Sequence, residues 1–454
     1  MNNNPDFVKA KLDSILQDMA DHHWLFSANP GHDFMRQNTG KLSFYDTMRL
    51  ILSMGKGTTA DELIDYFRLD PDLIPSQSAL IQRRHQINLS AFQYLFDAFS
   101  SAFPQTTHQF HDYSILACDG THVVYTTNAE IIQDFNKPRL SDYKGYNHMH
   151  LNAFVDAISK AILDIVIQPG QCPDERSALH SMLDHFSPDN PHSYIITADR
   201  GYESYDLLFH LILKNFRFVL RVKAPDSPTS ILSSYIEDLP LDQDEFDVTV
   251  KRFFTDRYTL EMKARPQVYH YMNPHKNIPH FKPLLGKRHL VYVAFRVVKL
   301  KAPDGSFEYL ITNLPNTLDL EDIRCCYHWR WGAEISFRYL KHAAGLLCFH
   351  SKLPDLLKQE IYATLVMYNF GIFLANEAAG KHSKGRQDLV NKYQYSVDIS
   401  TALRTARKYF LRKPTEKPID ILRLLAKFVH AVKEPFRKFA RPLHGIGALR
   451  FNYR

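Results

Sequence analysis

Between residues 113 and 222 the chain alternates dense apolar runs with amphipathic ones, an order that few folds accept. Ile115 to Tyr125, within YSILACDGTHVVY, reads as a buried strand interrupted by one carboxylate. HMHLNAFVDAI and KAILDIVIQPG read as two more strands, joined by a turn near Ser159 and Lys160. DERSALHSMLDHF reads as a helix, SYIITADRGY as a strand ending at an acid, YDLLFHLILKNF as a helix and FRFVLRVK as a strand. Three strands, then helix, strand, helix, strand is an α/β layout around a mixed sheet.

The flanks differ in texture. Leu50, Ile51, Met54 and Leu63, Ile64, Phe67 give helical spacing, with Gly55 and Gly57 between the two runs. Thr59-Ala-Asp-Glu62 fits a capping box. A third helix is expected near Ser78, carrying Arg83 and Arg84. A helix-turn-helix-like DNA-binding unit and three ordinary packed helices both fit this pattern. Residues 225–318 are β-rich: VTVKRFF, TLEMKA, HLVYVAFRVVKL and FEYLITNL read as strands separated by Pro, Gly and His turns. From Leu320 onward the chain reads as helical, with breaks near Pro354, Gly380–Gly385, Pro414–Pro418 and Pro435.

Composition excludes several classes. Hydrophobic residues at 45% and charged residues at 23% rule out wholesale disorder in 454 residues. The five cysteines form no C-x-x-C pair, which argues against zinc ribbons and for a reducing compartment. The start, MNNNPDFVKAKLDSIL, lacks a signal-peptide pattern, and the most apolar stretch, Ile361 to Ala375, contains Asn369 and is too short for a membrane span. A cytoplasmic protein, associated with the nucleoid and not with a membrane, is expected. No Walker loop, G-x-G-x-x-G or H-E-x-x-H occurs. Residues 331–454 carry 22 Lys+Arg against 9 Asp+Glu, so the net +6 of the chain is concentrated there. A polyanion partner and a solvated helical face both account for such an excess.

Two acids stand in informative places. Asp119 interrupts an apolar strand, where an unpartnered carboxylate is costly. Asp199 closes the strand Tyr194–Ala198 and is followed by Arg200, Gly201 and Tyr202. A turn cap and a helix N-cap are the ordinary uses of such residues. Two acids at the carboxyl ends of strands in one sheet also point to the edge where ligands bind. The run YHWRWGAEISFRYLK adds Tyr327, Arg330, Glu334 and Lys341. At about 100° per residue these fall near 0°, 300°, 340° and 320°, one stripe of a single helix, with Arg338 at its border near 20°. Such a stripe suits a phosphate backbone beside a metal; a surface helix with i,i+4 ion pairs is the alternative. On the latter view Trp331, Ile335 and Leu340 supply the core face, and Trp329 and Trp331 are expected to pack inward. His122 reads as a sheet-edge histidine that could touch substrate, and the remaining histidines show no zinc spacing.

Together these residues resemble the DDE transposases of bacterial insertion sequences, in the group marked by Tyr, two residues, Arg, three residues, Glu, six residues, Lys. Tyr327, Arg330, Glu334 and Lys341 reproduce that spacing. Cys118-Asp119-Gly120-Thr121 resembles the first catalytic site and Asp199-Arg200-Gly201-Tyr202 the second, over about residues 40 to 375. The resemblance implies a ribonuclease H-like mixed sheet core with a β-rich insertion, flanked by helical terminal regions. The 134 residues between Asp199 and Glu334 leave room for the insertion. The implied layout is a helical DNA-binding region (1–105), the core in two parts (106–224 and 319–375), the insertion (225–318) and a basic helical region (376–454). The family's insertion tryptophan, which stacks on a flipped base, has no counterpart, because Trp24, Trp329 and Trp331 all lie outside residues 225–318. Tyr269, Tyr271 and Tyr292 are the aromatic faces available instead.

The activity implied is metal-dependent cleavage and strand transfer at the element's own terminal inverted repeats, by cut-and-paste. Asp119, Asp199 and Glu334 are then the catalytic metal ligands, holding two Mg2+ ions (Mn2+ substituting) with Asp119 shared between them. Tyr327, Arg330 and Lys341 are the expected DNA contacts, with Arg338, Arg200 and Tyr202 behind them. The expected partners are double-stranded transposon-end and target DNA and a second copy in a homodimeric synaptic complex. A metal nuclease without strand transfer and a silent, domesticated DNA-binding protein are the rivals.

Overall fold

The computed structural model describes residues 4–35, 41–102, 110–137, 145–257, 259–302, 304–384 and 394–432. Small polar side chains open the N-terminal helices. In α1 (Pro5–Asp21) Asn4 accepts the Asp6 N–H, and in α2 (Phe44–Ser53) Ser43 accepts that of Asp46. The capping box of α3 (Thr59–Tyr66) joins Thr58 to Asp61, one residue earlier than Thr59–Glu62. Ser76 caps α4 (Gln77–His85), and α5 (Leu89–Ser101) follows. Arg84 is 1% exposed and ion-paired to Glu360 at 2.8 Å, so it serves the packed interior and not a DNA-reading face.

The sheet begins with β1 (Ser114–Tyr125), then the short β2 (Phe135–Asn136), β3 (Tyr146–Asp156) and β4 (Ile162–Pro169). Asp156 closes the β3–β4 turn by accepting the N–H groups of Ile158 and Ser159, and Lys160 takes a φ of 70°. Next come α6 (Glu175–His185), β5 (Tyr194–Ala198), α7 (Tyr205–Leu213) and β6 (Arg217–Val222). β4, β3 and β1 are antiparallel neighbours, whereas β1, β5 and β6 run parallel. This order, β4-β3-β1-β5-β6, is a ribonuclease H-like sheet. Ile115, Leu116, Ala117 and Cys118 are all fully buried, because both faces of the parallel part are covered.

Residues beyond β6 continue the same sheet. β7 (Phe246–Thr255), β8 (Tyr269–Tyr271), β9 (Leu290–Lys301) and β10 (Phe307–Thr312) extend it in the order β6-β10-β9-β7-β8. The joint is antiparallel, with Tyr309 opposite Val222. Phe246, Phe254 and Phe295 share one apolar cluster with Leu208 of α7 and Phe218 of β6. TLEMKA is not a strand: Leu260–Ala264 forms α8, capped by Thr259. Its residues are all good helix formers, and Leu260, 88% exposed, has no sheet face to fill.

A capping box of Asp319 and Asp322 starts α9 (Leu320–His328), followed by α10 (Trp331–Arg338), a π turn at Tyr339–Ala343 and the long α11 (Pro354–Lys384). The remainder is not all helical. β11 (Gln394–Val397) and β12 (Val429–Val432) pair antiparallel around α12 (Ile399–Phe410) and α13 (Ile421–Leu425). The basic end around Pro435 lies outside the described residues. Among the described residues no helix is long and apolar enough to cross a membrane.

Candidate active site

The β1–β5 register positions the first two acids. Ala117 lies opposite Thr197, the last registered pair of these parallel strands. Asp119 and Asp199 each come two residues later, at the carboxyl end of the parallel pairing, and side chains two apart share a face. Asp119 is not at a strand end: β1 runs on past it, paired with Ala153 of β3. Its Oδ1 accepts the Gly120 N–H at 2.9 Å. The Asp199 carboxylate accepts the Gly201 N–H at 2.7 Å and caps the short turn Arg200–Tyr202.

Glu334 comes from α10, and Arg330 joins it to the sheet. The Arg330 guanidinium lies 3.8 Å from Asp119 Oδ2 and 3.8 Å from Glu334 Oε1. Burial pushes the Asp119 carboxyl up to about 6, with Arg330 and the Gly120 N–H opposing and Glu334 and Asp199 adding to the rise. Glu334 and Asp199 therefore both lie near enough to act on the Asp119 carboxylate. Against the burial that opposes its charge, Tyr327, Asp119 and Asp199 hold the guanidinium of Arg330 protonated.

The expected single helical stripe is broken. α9 ends at His328, and the junction tightens: Arg330 N–H donates to Tyr327 O at 3.1 Å and Gly332 N–H to Trp329 O at 2.8 Å. Beyond Arg338 the coil widens into the π turn that carries Lys341. Tyr327 is consequently buried, with Arg330 5.6 Å from its ring centre. Trp331 is 39% exposed with Arg330 4.9 Å from its ring, not a core residue; Trp329 packs against the core. Leu340 faces the core as expected, joined by Ala333 and Phe337, while Ile335 is only half-buried. Burial lowers the pKa of Lys341; burial also lowers that of His122, with His150, His148 and the Lys341 ammonium adding to the effect. Arg338 and Arg200 are exposed. Tyr202 is 1% exposed against Cys118, which leaves it no edge for DNA.

Sequence reasoning missed Glu175 and His150. Glu175 opens α6, and its Oε1 lies 3.1 Å from His150 Nε2. A methyl group on Gly120 would meet those two atoms at 2.7 and 2.5 Å, so the close approach requires glycine there. A methyl group on Gly201 would lie 3.0 Å from Asp199 Oδ1 and 3.7 Å from Glu175 Oε2, which puts the fourth acid beside the second. His150 faces His122 across the β1–β3 pair, ring centres 4.6 Å apart. The one available signal was the two-residue spacing of His148 and His150, which puts both on one face of a strand; an acid at a helix start is too common to be informative. Of the aromatic candidates on the sheet extension, Tyr271 and Tyr292 are exposed, and Phe253 lies 5.3 Å from the Tyr292 ring.

A ribonuclease H-like sheet whose edge gathers acids around one buried arginine defines a class of polynucleotidyl phosphoryl-transfer enzymes. Residues 110–370 match the family model described as the transposase DDE domain. The chain belongs to that family and is a DNA transposase of the DDE type, an enzyme class whose chemistry uses divalent metal ions. No curated protein matches the chain. Among solved structures, a piggyBac transposase synaptic complex with hairpin DNA, determined by cryo-EM, is similar with a TM-score of 0.44 and 12% identity. That match covers 94% of this chain and 85% of the other.

Proposed function

We propose that this transposase cleaves and joins DNA at the terminal inverted repeats of its own insertion sequence, moving it by cut-and-paste. One relationship carries the reading: Arg330 reaches both Asp119 and Glu334 at 3.8 Å, while Asp199 acts on the same Asp119 carboxyl. The donors there are all oxygens, and their negative charge exceeds what one guanidinium cancels. That set fits hard divalent cations, Mg2+ above all, with Mn2+ as a substitute, held by Asp119, Asp199 and Glu334. When bound, such ions supply a nucleophilic oxygen at neutral pH and offset charge on the leaving oxygen.

The protein's own groups bind and orient. Arg330, fixed between the rings of Tyr327 and Trp331, is preorganised to meet a phosphate oxygen entering the pocket. Lys341 adds a second cation, and the exposed Arg338 and Arg200 hold phosphates further along the strand. Exposed Tyr271 and Tyr292 are the faces for an unstacked base. Regions 1–105 and 376–454 grip the transposon ends, and a second copy completes a homodimeric synaptic complex at the nucleoid.

The test is nicking and joining of a duplex carrying the element's terminal repeat, with Mg2+. Wild type nicks and yields joined products, whereas Glu334→Gln loses both by at least about 100-fold. Intact nicking by Glu334→Gln would overturn the assignment. Nicks without joined product would reduce the protein to a nuclease, and binding without cleavage to a silent DNA-binding protein.

A further inference from the structure

Away from the acids, three histidines from separate segments meet where the core helices face the sheet extension. His180 lies on α6, His210 on α7 and His280 between β8 and β9. One ring nitrogen from each lies within 4.8 Å of the others. The rings are stacked, with the His210 and His280 centres 3.7 Å apart and those of His180 and His280 4.7 Å apart.

Each ring offers a nitrogen to a carboxylate. His180 Nε2 is 3.3 Å from Asp206 Oδ2, His280 Nδ1 is 2.9 Å from the same oxygen, and His210 Nε2 is 3.2 Å from Asp184 Oδ1. Asp206 also accepts the His280 backbone N–H at 3.1 Å. An ionised carboxylate only accepts, so in neutral rings these nitrogens hold the protons and the others carry bare lone pairs. Yet His180 Nδ1 and His210 Nδ1 face each other at 2.7 Å. Two lone pairs that close repel unless a positive charge lies between them. A proton would create an imidazolium beside the fully buried His210, which desolvation opposes. A metal ion also brings charge into this space, but it takes a coordinate bond from each imidazole, and Asp206 and Asp184 offset its charge while fixing ring tautomer and orientation, their role around imidazole-ligated metals.

We infer that His180, His210 and His280 form a second metal site, distinct from the catalytic acids, for a borderline divalent transition metal such as Zn2+. Imidazole donors select zinc over the hard magnesium suited to the carboxylate pocket. Zn–N bonds of about 2.0–2.1 Å in a tetrahedral site space ligand atoms about 3.3 Å apart, so binding spreads the 2.7 Å pair of His180 and His210 and tilts the rings out of their stack. The His180 and His280 side chains are 18% and 19% exposed, which gives the ion a route from solvent. Its effect is mechanical. His280 belongs to the sheet extension, while α6 starts at Glu175 beside the catalytic acids, so the ion clips the extension to the helix that borders the active site. A cross-link between segments so far apart in sequence stabilises by closing a long loop.

The experiment uses the full chain, stripped with a chelator and then titrated with Zn2+ in excess Mg2+, which occupies the carboxylate site. Wild type retains about one Zn2+ per chain after dialysis and its Tm rises. Co2+ in place of Zn2+ gives the visible bands of a tetrahedral imidazole site. His280→Ala, a change at the more accessible side of the cluster, abolishes retention, bands and Tm rise, whereas Glu334→Gln keeps all three. No retained Zn2+, or equal retention by His280→Ala, overturns the site and leaves the shared proton as the occupant. Either outcome is independent of the DNA reading.

Discussion

Gly332 lies against the backbone of Ala157: a methyl group on its α-carbon would fall 2.6 Å from the Ala157 carbonyl oxygen. Gly332 is in the first turn of α10, and Ala157 is in the turn that follows β3. This contact lets the helix approach the sheet closely enough for Glu334, two residues on, to share Arg330 with Asp119. Gly332→Ala must push α10 away, because the obstacle is backbone. A displacement near 1 Å at a catalytic carboxylate costs about 100-fold in rate. Nicking is expected to fall by that factor while the protein stays folded by circular dichroism. Gly380→Ala, in a helix with open space around it, is the control and leaves the rate unchanged. Equal rates for the two variants would show that Gly332 does not set the position of Glu334.

Arg330 also sets the pH at which the pocket is charged. Burial raises the Asp119 carboxyl to about 6, and Arg330 is the largest influence pulling it down. Replacing Arg330 by Gln removes that pull, so the folded-state pKa of Asp119 rises further. Protons then compete with the divalent ion to a higher pH, and the acid limb of metal binding moves toward alkaline. Arg330→Lys keeps a charge and moves it less. Mn2+ binding followed across about pH 5–8 checks the order wild type, Lys, Gln; an unmoved limb in Arg330→Gln would remove Arg330 as the tuning group.

Glu175 contributes the fourth carboxylate at this edge. The His150 hydrogen bond holds its pKa below the usual range, against burial. Glu175→Gln weakens that pair and removes negative charge beside Asp199. It acts through position and field, so the expected loss in nicking is modest, about 10-fold, with a higher Mg2+ concentration for half-maximal rate. A change in rate with no change in Mg2+ dependence would give Glu175 a different role.

The parts of the fold that were legible share a cause. β5, β6 and the parallel-paired part of β1, together with the antiparallel β3, are buried on both faces along most of their length, and such strands show as apolar runs whatever their neighbours. Asp119 and Asp199 stood out because a carboxylate is anomalous there. The joining of β10 to β6 was not legible, since Tyr309 and Val222 are distant in sequence and strand pairing leaves no local mark. TLEMKA misled because alternation over six residues is consistent with a strand while its composition suits a helix. The helical-wheel arithmetic placed Arg330 and Glu334 on one side correctly, but it assumed uniform turns; the tightened junction at Trp329–Arg330 turned Trp331 outward and Tyr327 inward. Glu175 and the histidine trio escaped notice because each becomes unusual only through partners from other segments.

His350 lies between Glu62, 3.8 Å away, and Glu360, 3.2 Å away, and Glu360 also pairs with the buried Arg84. This cluster ties α3 and α4 to α11. Burial opposes charge on His350, yet its hydrogen bonds to Glu360 and Glu62 prevail and raise its pKa to about 9. In the unfolded chain a histidine titrates near about 6.5. The native state therefore binds the proton more tightly, and the gain is fully present below about 6.5 and lost as pH rises through about 9. Thermal unfolding should show Tm falling by several degrees between about pH 7 and 10. His350→Gln is expected to begin with a lower Tm and to flatten the slope in that window, since no proton is left to lose. A wild-type slope retained in His350→Gln would mean that the alkaline loss of stability arises elsewhere, and the junction between the N-terminal helices and α11 would not be held by a protonated imidazole.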